Sequence, residues 1–531
     1  MERPNRLVHD TLLSAAEGTA DKTAVISAGM HVDYGSFAGF ARSLAGTFQE
    51  QGLRRGDRVA IVAENGGPVA VAIYATWLAG GVVMVINPQT KAEKLSYILQ
   101  DSGARLAVID DAALPAFERA VGEPHGVEAA ICVGSRPDAG CGLRSIGFDT
   151  AARTGGAPKP VPTIPVDLAA LIYTSGSTGQ PKGVMVTHQN VRFTTDSLIE
   201  YLRLSADDRI LNLLPLAFDY GLYQLLMSVR LGATLVLERT FAFPAHIARR
   251  LVEEEVTVFP GVPTVFATLL NLHRSKRIVL PSVRRVTNTA AALPSEWTAE
   301  LQQLFPSALL FRMYGLTECK RVCYLEPEEL PRRPASVGRA IPGTETLLLS
   351  PEGQPVPPGV PGILHVRGPH IMVGYWRQPE LTRRMIKEGA YPGDRMLCTH
   401  DLFTADDEGY LYFVARTDEI IKTRGEKVSP AEVESVLYGI PGVREAAVIG
   451  VDHAVLGEEI YAFLAVDPEA GLSEASVKQV CRGRLESFMV PGRVVFRDSL
   501  PKTGTGKLQK RALLDLIQKD STHEPGSTRV A

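Results

Sequence analysis

The sequence predicts an α/β protein: a large N-terminal domain of helix-covered β-sheets with a small β-barrel subdomain, followed by a small mobile α+β C-terminal domain. Three observations predict it. Short apolar runs alternate with helical segments through the first two-thirds of the chain, the pattern of parallel sheets covered by helices. Residues 336–377 are rich in Gly, Pro and short β runs, which suits a small barrel or an antiparallel subdomain. The last hundred or so residues hold helix, turn, strand and helix patterns, a common size for one domain. At 531 residues the chain is too long for a single core. The expected divisions are residues 1–417, including the β-rich subdomain at about 336–417, then 418–519, then a disordered tail at 520–531.

The strands are expected at "RVAIVAE" (58–64), "LAVID" (106–110), "AAICVG" (129–134), "ATLVLE" (233–238), "VTVFPG" (256–261) and "ALLFRMYG" (308–315). "PAHIARRLVEEE" (244–255) reads as a helix between two of them. The stretch Pro68–Ile86 carries no charge over 19 residues and imitates a membrane span. Gly80 and Gly81 split it into a short helix and the β-rich "VVMVI", so a buried helix feeding a buried strand is expected instead. Further on, "AEVESVLYGIPGVREAAVIGV" reads helix, turn, strand, and 473–488 reads as a helix.

Composition is ordinary for a globular chain, with 45% hydrophobic and 22% charged residues and a net charge of −3. That balance makes no electrostatic case for nucleic acid or an anionic membrane. The six cysteines include no C-x-x-C pair, and free thiols in a reducing cytoplasm are the simplest reading. Cys319 and Cys323 are read as packing residues. The N-terminus has no apolar run of the secretory kind.

"LIYTSGSTGQPKGV" begins at Leu171 and is the first stretch with chemistry in it. Leu168 to Tyr173 reads as a buried strand. Thr174, Ser175, Gly176, Ser177, Thr178 and Gly179 follow, with hydroxyls, backbone N–H groups and glycines that suit an anion. Lys182 adds a full positive charge. The pattern is not the G-x-x-x-x-G-K-[ST] cradle at a helix start, because Pro181 stands where the second Gly belongs and Gly183 follows the lysine. A flap over phosphates is expected.

With "YGLTE" (314–318), "DEGYLYFVARTDEIIKTRGEKVSPAEVE" (407–434) and "PKTGTGKLQK" (501–510), the chain resembles the AMP-forming adenylating superfamily. Its members are acyl- and aryl-CoA synthetases, amino-acid adenylation domains and luciferases. The motifs run in the family's order across nearly the whole chain. The resemblance implies attack of a carboxylate on the α-phosphorus of ATP, release of pyrophosphate, and displacement of AMP by a thiol. It places the loop from Thr174 to Lys182 on the β- and γ-phosphates. Lys507 matches the catalytic lysine that meets charge growing on the phosphoryl oxygens. Glu318 is implied as the Mg²⁺ ligand, Thr317 as a contact to the α-phosphate, and Tyr314 as a neighbour of the adenine. Asp401 and Arg416 match the ribose contacts. Here the chain departs from the family, since His400 and Ala415 replace the usual glycines, and Ile363 replaces a typical Glu. Asp418 matches the hinge between half-reactions, and Gly425 matches a glycine lining the pantetheine tunnel.

The acid pocket is implied around Phe218, Asp219, Tyr220, Tyr223, Asn288, Ala290, Met313 and Arg321. Phe218 falls where many acyl-CoA synthetases have a histidine. In amino-acid-activating members an aspartate in such an "FD" pair holds the substrate ammonium. Asp219 is therefore either an ammonium receptor or a helix cap. Two acceptors stay open: CoA, or the phosphopantetheine of a separate carrier protein loaded with an amino or other acid.

Overall fold

The computed structural model describes residues 5–136, 138–175, 180–239, 243–289, 293–294, 296–417, 419–423, 426–453, 455–502 and 508–521. Two large sheets form the body of the molecule. The first has nine strands and a parallel centre, in the order Arg339–Ala340, Cys323–Leu325, Leu309–Tyr314, Arg285–Asn288, Val258–Gly261, Arg209–Asn212, Thr234–Leu237, Thr23–Ser27 and Met30–Asp33. The second has eight, in the order Gly374–Tyr375, Pro181–Thr187, Leu168–Ser175, Val82–Ile86, Arg58–Val62, Leu106–Asp110, Ala129–Val133 and Arg144–Gly147.

One apolar core joins these sheets, built from residues such as Leu12, Trp77, Leu225, Phe259 and Phe311, each 2% exposed or less. A second core, with Met84, Leu99, Ile109 and Phe117, covers the other face of the eight-stranded sheet. Strands buried on both faces read as continuous apolar runs, which is why "LAVID" and "RVAIV" are legible in the sequence. The uncharged stretch resolves into the helix Gly67–Leu78 and the strand Val82–Ile86. Among the described residues no helix is long and apolar enough to cross a membrane.

The β-rich segment is less self-contained than its composition suggests. Glu345–Leu349, Gly362–Arg367, Ile386–Glu388, Arg395–Ala405 and Leu411–Arg416 form an antiparallel five-stranded sheet. But Arg339–Ala340 pairs into the nine-stranded sheet, and Gly374–Tyr375 pairs with Pro181–Thr187 in the other. This segment therefore ties the two large sheets together.

Residues 419–521 carry a further sheet, Ile421–Thr423, Glu426–Val428, Val443–His453, Gly457–Val466 and Arg493–Arg497, with the helices Pro430–Tyr438, Glu474–Arg484 and Lys510–Ser521. Its apolar clusters contain no residue of the N-terminal cores. The helix expected over 473–488 stops at Arg484, where the backbone turns extended at Leu485. Of the tail expected at 520–531, residues 520 and 521 belong to the last helix, and the rest lies outside the described residues. The hinge Asp418 lies outside them too.

Candidate functional site

The strands Leu168–Ser175 and Pro181–Thr187 form an antiparallel hairpin, with Thr174 opposite Lys182 and Ser175 opposite Pro181. The glycine-rich stretch joins two strands and does not open a helix, as its departure from the cradle pattern requires. Gly176, Ser177, Thr178 and Gly179 themselves lie outside the described residues. Gly183 follows the lysine for a packing reason. A Cβ there would stand 3.2 Å from the Tyr173 ring and 3.3 Å from Trp376 Cβ. The Thr174 hydroxyl is buried and has no hydrogen-bond partner among the described residues, so it is a donor that an anion can satisfy.

Lys182 Nζ donates to the Tyr375 hydroxyl at 2.9 Å and stands 3.4 Å from Glu318 Oε1. Tyr375 in turn donates to Glu318 Oε1 at 2.5 Å. Burial and the Glu318 carboxylate push the Tyr375 hydroxyl far above its ordinary pKa, so it stays a donor. Three distant segments thus meet at one buried carboxylate. Tyr375 is absent from the residues the sequence singles out. Its only signal is "GYW" inside the β-rich segment, and nothing local links it to Glu318.

Glu318 lies on a hairpin loop between the strands Leu309–Tyr314 and Cys323–Leu325. The loop closes on itself through Cys319 N to Leu316 O at 3.1 Å, Arg321 N to Cys319 O at 2.7 Å and Val322 N to Tyr314 O at 3.0 Å. Gly315 is needed because a Cβ would lie 2.4 Å from the Lys320 carbonyl. Met372 N donates to the Glu318 carbonyl at 2.8 Å and holds the loop against the segment that carries Tyr375. Thr317 is half-buried on the turn.

At the start of the loop, Tyr314 donates its hydroxyl to Asp401 Oδ2. Burial, then the Asp401 carboxylate, hold that hydroxyl well above its ordinary pKa. Arg416 Nη1 is 3.5 Å from Asp401 Oδ1. The adjacent strands Arg395–Ala405 and Leu411–Arg416 place Asp401 opposite Arg416. His400 resolves the departure from the family's glycine. Its φ is +57°, the left-handed region that glycine adopts freely, so a histidine here holds a backbone conformation that suits glycine.

At the far end of the loop, Lys320 and Arg321 are almost fully buried, at 5% and 1% exposure. Lys320 Nζ is 3.5 Å from Asp219 Oδ2 and lies 5.1 and 5.0 Å from the ring centres of Tyr220 and Tyr223. Burial pulls the Lys320 ammonium down to about 7, with Asp219 opposing that shift and Arg321 adding to it. Asp219 is the first residue of the helix Asp219–Leu231, and Phe218 holds the cap position without a side-chain cap bond. Asp219 Oδ1 accepts from Tyr220 N at 2.9 Å in the first turn of that helix, in keeping with the helix-capping reading, while Oδ2 pairs with Lys320, a residue the sequence does not single out. A lysine and an arginine between the buried Cys319 and Val322 are the available signal.

Arg321 Nη1 donates to Thr289 Oγ1 at 2.6 Å, and its guanidinium lies 5.7 Å from the Tyr220 ring centre. The Tyr220 hydroxyl donates to the Thr287 carbonyl at 2.8 Å. Asn288 and Met313 are buried on neighbouring strands, and Phe218 borders a cavity of about 10 Å³ with Val83 and Leu222. A larger cavity of about 370 Å³, bordered by Leu270, Trp297, Tyr438 and Asp467, contains none of these residues. Ala290, Gly425 and Lys507 lie outside the described residues.

The hairpin that carries Lys182, the loop that carries the buried Glu318 and the Asp401–Arg416 pair thus lie together, an arrangement of the kind a nucleotide-dependent acid-activating enzyme needs. The AMP-binding enzyme family matches residues 12–376 and its C-terminal domain matches residues 432–507, and the chain belongs to that family. It is an AMP-forming acid–thiol ligase that acts through an acyl-adenylate. A long-chain-fatty-acid–CoA ligase of Escherichia coli is 31% identical, covering 93% of this chain and 92% of its own. ATP-bound MatB from Rhodopseudomonas palustris superposes with a TM-score of 0.85 at 29% identity, over 96% of this chain and 99% of that one. An anthranilate CoA ligase in complex with anthranoyl-AMP superposes with a TM-score of 0.89 at 26% identity, over 98% of this chain and 100% of that one.

Proposed function

We propose that this protein activates a carboxylic acid with ATP around the loop Gly315–Val322 and transfers the acyl group to CoA. The observation that carries the reading is that one hairpin loop and its flanks supply three sets of groups. Tyr314 reaches the Asp401–Arg416 pair, Glu318 reaches Lys182 and Tyr375, and Lys320 reaches Asp219. A ribose, a polyphosphate and an acid bound at these three places would have the α-phosphate and the carboxylate adjacent, the geometry that proximity catalysis requires.

In the first step a carboxylate oxygen bonds to the α-phosphorus and the bond to pyrophosphate breaks. Lys182 and the flap hydroxyls would take the leaving charge, and Lys507, by its motif, the charge on the α-phosphoryl oxygens. In the second step the thiol sulfur bonds to the acyl carbon and AMP leaves. Asp418 and Gly425 would serve there as hinge and tunnel. Glu318 fits Mg²⁺, a hard ion that takes carboxylate oxygen together with substrate phosphates. Bound there, the ion would neutralise phosphate charge.

CoA is favoured as acceptor because the compared ligases are named for it. The alternative, a stand-alone amino-acid adenylation enzyme loading a carrier protein, needs Asp219 open to a substrate ammonium. Lys320 already occupies that carboxylate. ATP–pyrophosphate exchange over fatty, aryl and amino acids tests the first step, and CoA or a carrier added afterwards tests the second. Exchange that depends on no carboxylic acid would sink the proposal.

A further inference from the structure

The acid pocket holds more positive charge than its own residues balance. Lys320 and Arg321 both lie against the Tyr220 ring, and Asp219 is the one carboxylate paired with either among the described residues. Glu318 is engaged with Lys182 and Tyr375. Arg321 is 1% exposed and its Nε has no partner among the described residues. The amide nitrogen of Asn288, 4% exposed, also has none there. Buried donors are expensive to leave unsatisfied, and a buried unpaired cation more so. Such groups call for a partner, and a bound ligand is one that can supply it.

We infer that the substrate acid carries a second anionic group at its far end, received by Lys320 and Arg321, with the unsatisfied Asn288 amide, next in the chain to the Arg321 partner Thr289, as a further donor. This inference rests on the adenylation reading above and names its substrate class: a dicarboxylic acid or a similarly charged relative. The reacting carboxylate faces the phosphates on the Glu318 side of the loop, so it leaves these donors to the tail. A plain alkyl tail would bury against the Arg321 guanidinium and the Lys320–Asp219 pair and leave the Arg321 Nε and Asn288 amide donors without an acceptor. A substrate ammonium would have to displace Lys320 from Asp219 and strand it among aromatic rings. An anionic tail satisfies the free donors without breaking the existing pair. The rings of Tyr220 and Tyr223, which lie against Lys320, give it apolar walls.

The test is ATP–pyrophosphate exchange by the full chain with length-matched monocarboxylic and α,ω-dicarboxylic acids, and with amino acids. The expected kcat/KM for a diacid exceeds that of its monoacid by about 10²-fold or more, because a site built around polar donors rejects the analogue that lacks the acceptor. Lys320→Met raises the diacid KM by about tenfold or more and the monoacid KM by clearly less, so the preference falls, while Lys320→Arg keeps it. A wild-type preference for monoacids or amino acids overturns the inference, and so does an equal loss on both series in Lys320→Met. The wild-type panel decides the matter even where a variant does not fold. Absence of exchange with every acid brings down the adenylation reading itself, and the inference with it.

Discussion

The Tyr375 hydroxyl donates to Glu318 Oε1 at 2.5 Å and accepts from Lys182 Nζ at 2.9 Å. One hydroxyl thus holds together a carboxylate and a lysine that come from separate segments of the chain. The tyrosine is 57 residues beyond Glu318 and 193 beyond Lys182. It is buried, and its ring also lies under the lysine, with Nζ 4.3 Å from the centroid.

Tyr375→Phe keeps the ring and removes the hydroxyl. Glu318 then loses one charge-assisted hydrogen bond, a loss of about 1.5–3 kcal/mol in stability. The Mg²⁺ concentration for half-maximal pyrophosphate exchange should also change, because Glu318 is less firmly oriented. Denaturant melts and a Mg²⁺ titration measure the two effects. Unchanged values of both would show that the contact has no consequence.

Lys507→Ala and Gly425→Leu should damage opposite halves of the reaction. Loss of one preorganised cation slows adenylation by about 10²-fold or more, yet leaves thioester formation from preformed acyl-adenylate. A leucine at 425 should obstruct the pantetheine arm and leave exchange near normal. Single-turnover assays of each step separate them. Equal loss in both steps, for either variant, removes its assignment to one half-reaction.

Asp219 and Lys320 should be energetically coupled. Asp219→Ala leaves a buried ammonium without its partner and should destabilise by about 1–3 kcal/mol, discounted from a fully buried pair because the Asp219 side chain is 21% exposed. Lys320→Met alone, and the double variant, complete a cycle whose interaction energy exceeds about 0.5 kcal/mol. Additive effects would mean that the 3.5 Å contact carries no energy.

His400→Gly tests the left-handed backbone at the ribose site. The glycine relieves a conformation with φ of +57° and should be neutral to stabilising, by up to about 1 kcal/mol, with ATP affinity unchanged. His400→Val should lower stability and weaken ATP binding, since a β-branched residue tolerates that region poorly. Thermal melts with and without ATP check both. A destabilised glycine variant would assign the histidine a side-chain role instead.

Local chemistry is legible in the sequence. Parallel strands buried on both faces announce themselves as apolar runs, so Leu106–Asp110 can be placed to the residue. Pro181 and Gly183 forbid a helix-start cradle, and the hairpin around the glycine-rich stretch agrees with them. Asp401 and Arg416 are singled out only by the family resemblance, and their pairing across neighbouring strands is a finding of the structure. The signals for the strands and the hairpin are short-range, and they rest on hydrophobic period and turn chemistry.

From the residues alone come the α/β class, the order of motifs and the side-chain types that can meet ATP. Which side chains meet one another is settled by the folding of distant segments together. Tyr375 reaches Glu318 because Gly374–Tyr375 leaves its own β-rich segment to pair with Pro181–Thr187. Lys320 meets Asp219 because the loop after Tyr314 turns back within eight residues onto the helix at 219–231. Neither contact has a periodicity or a spacing to betray it. Both come from long-range packing, where burial forces a charged group to find whatever partner the fold places beside it.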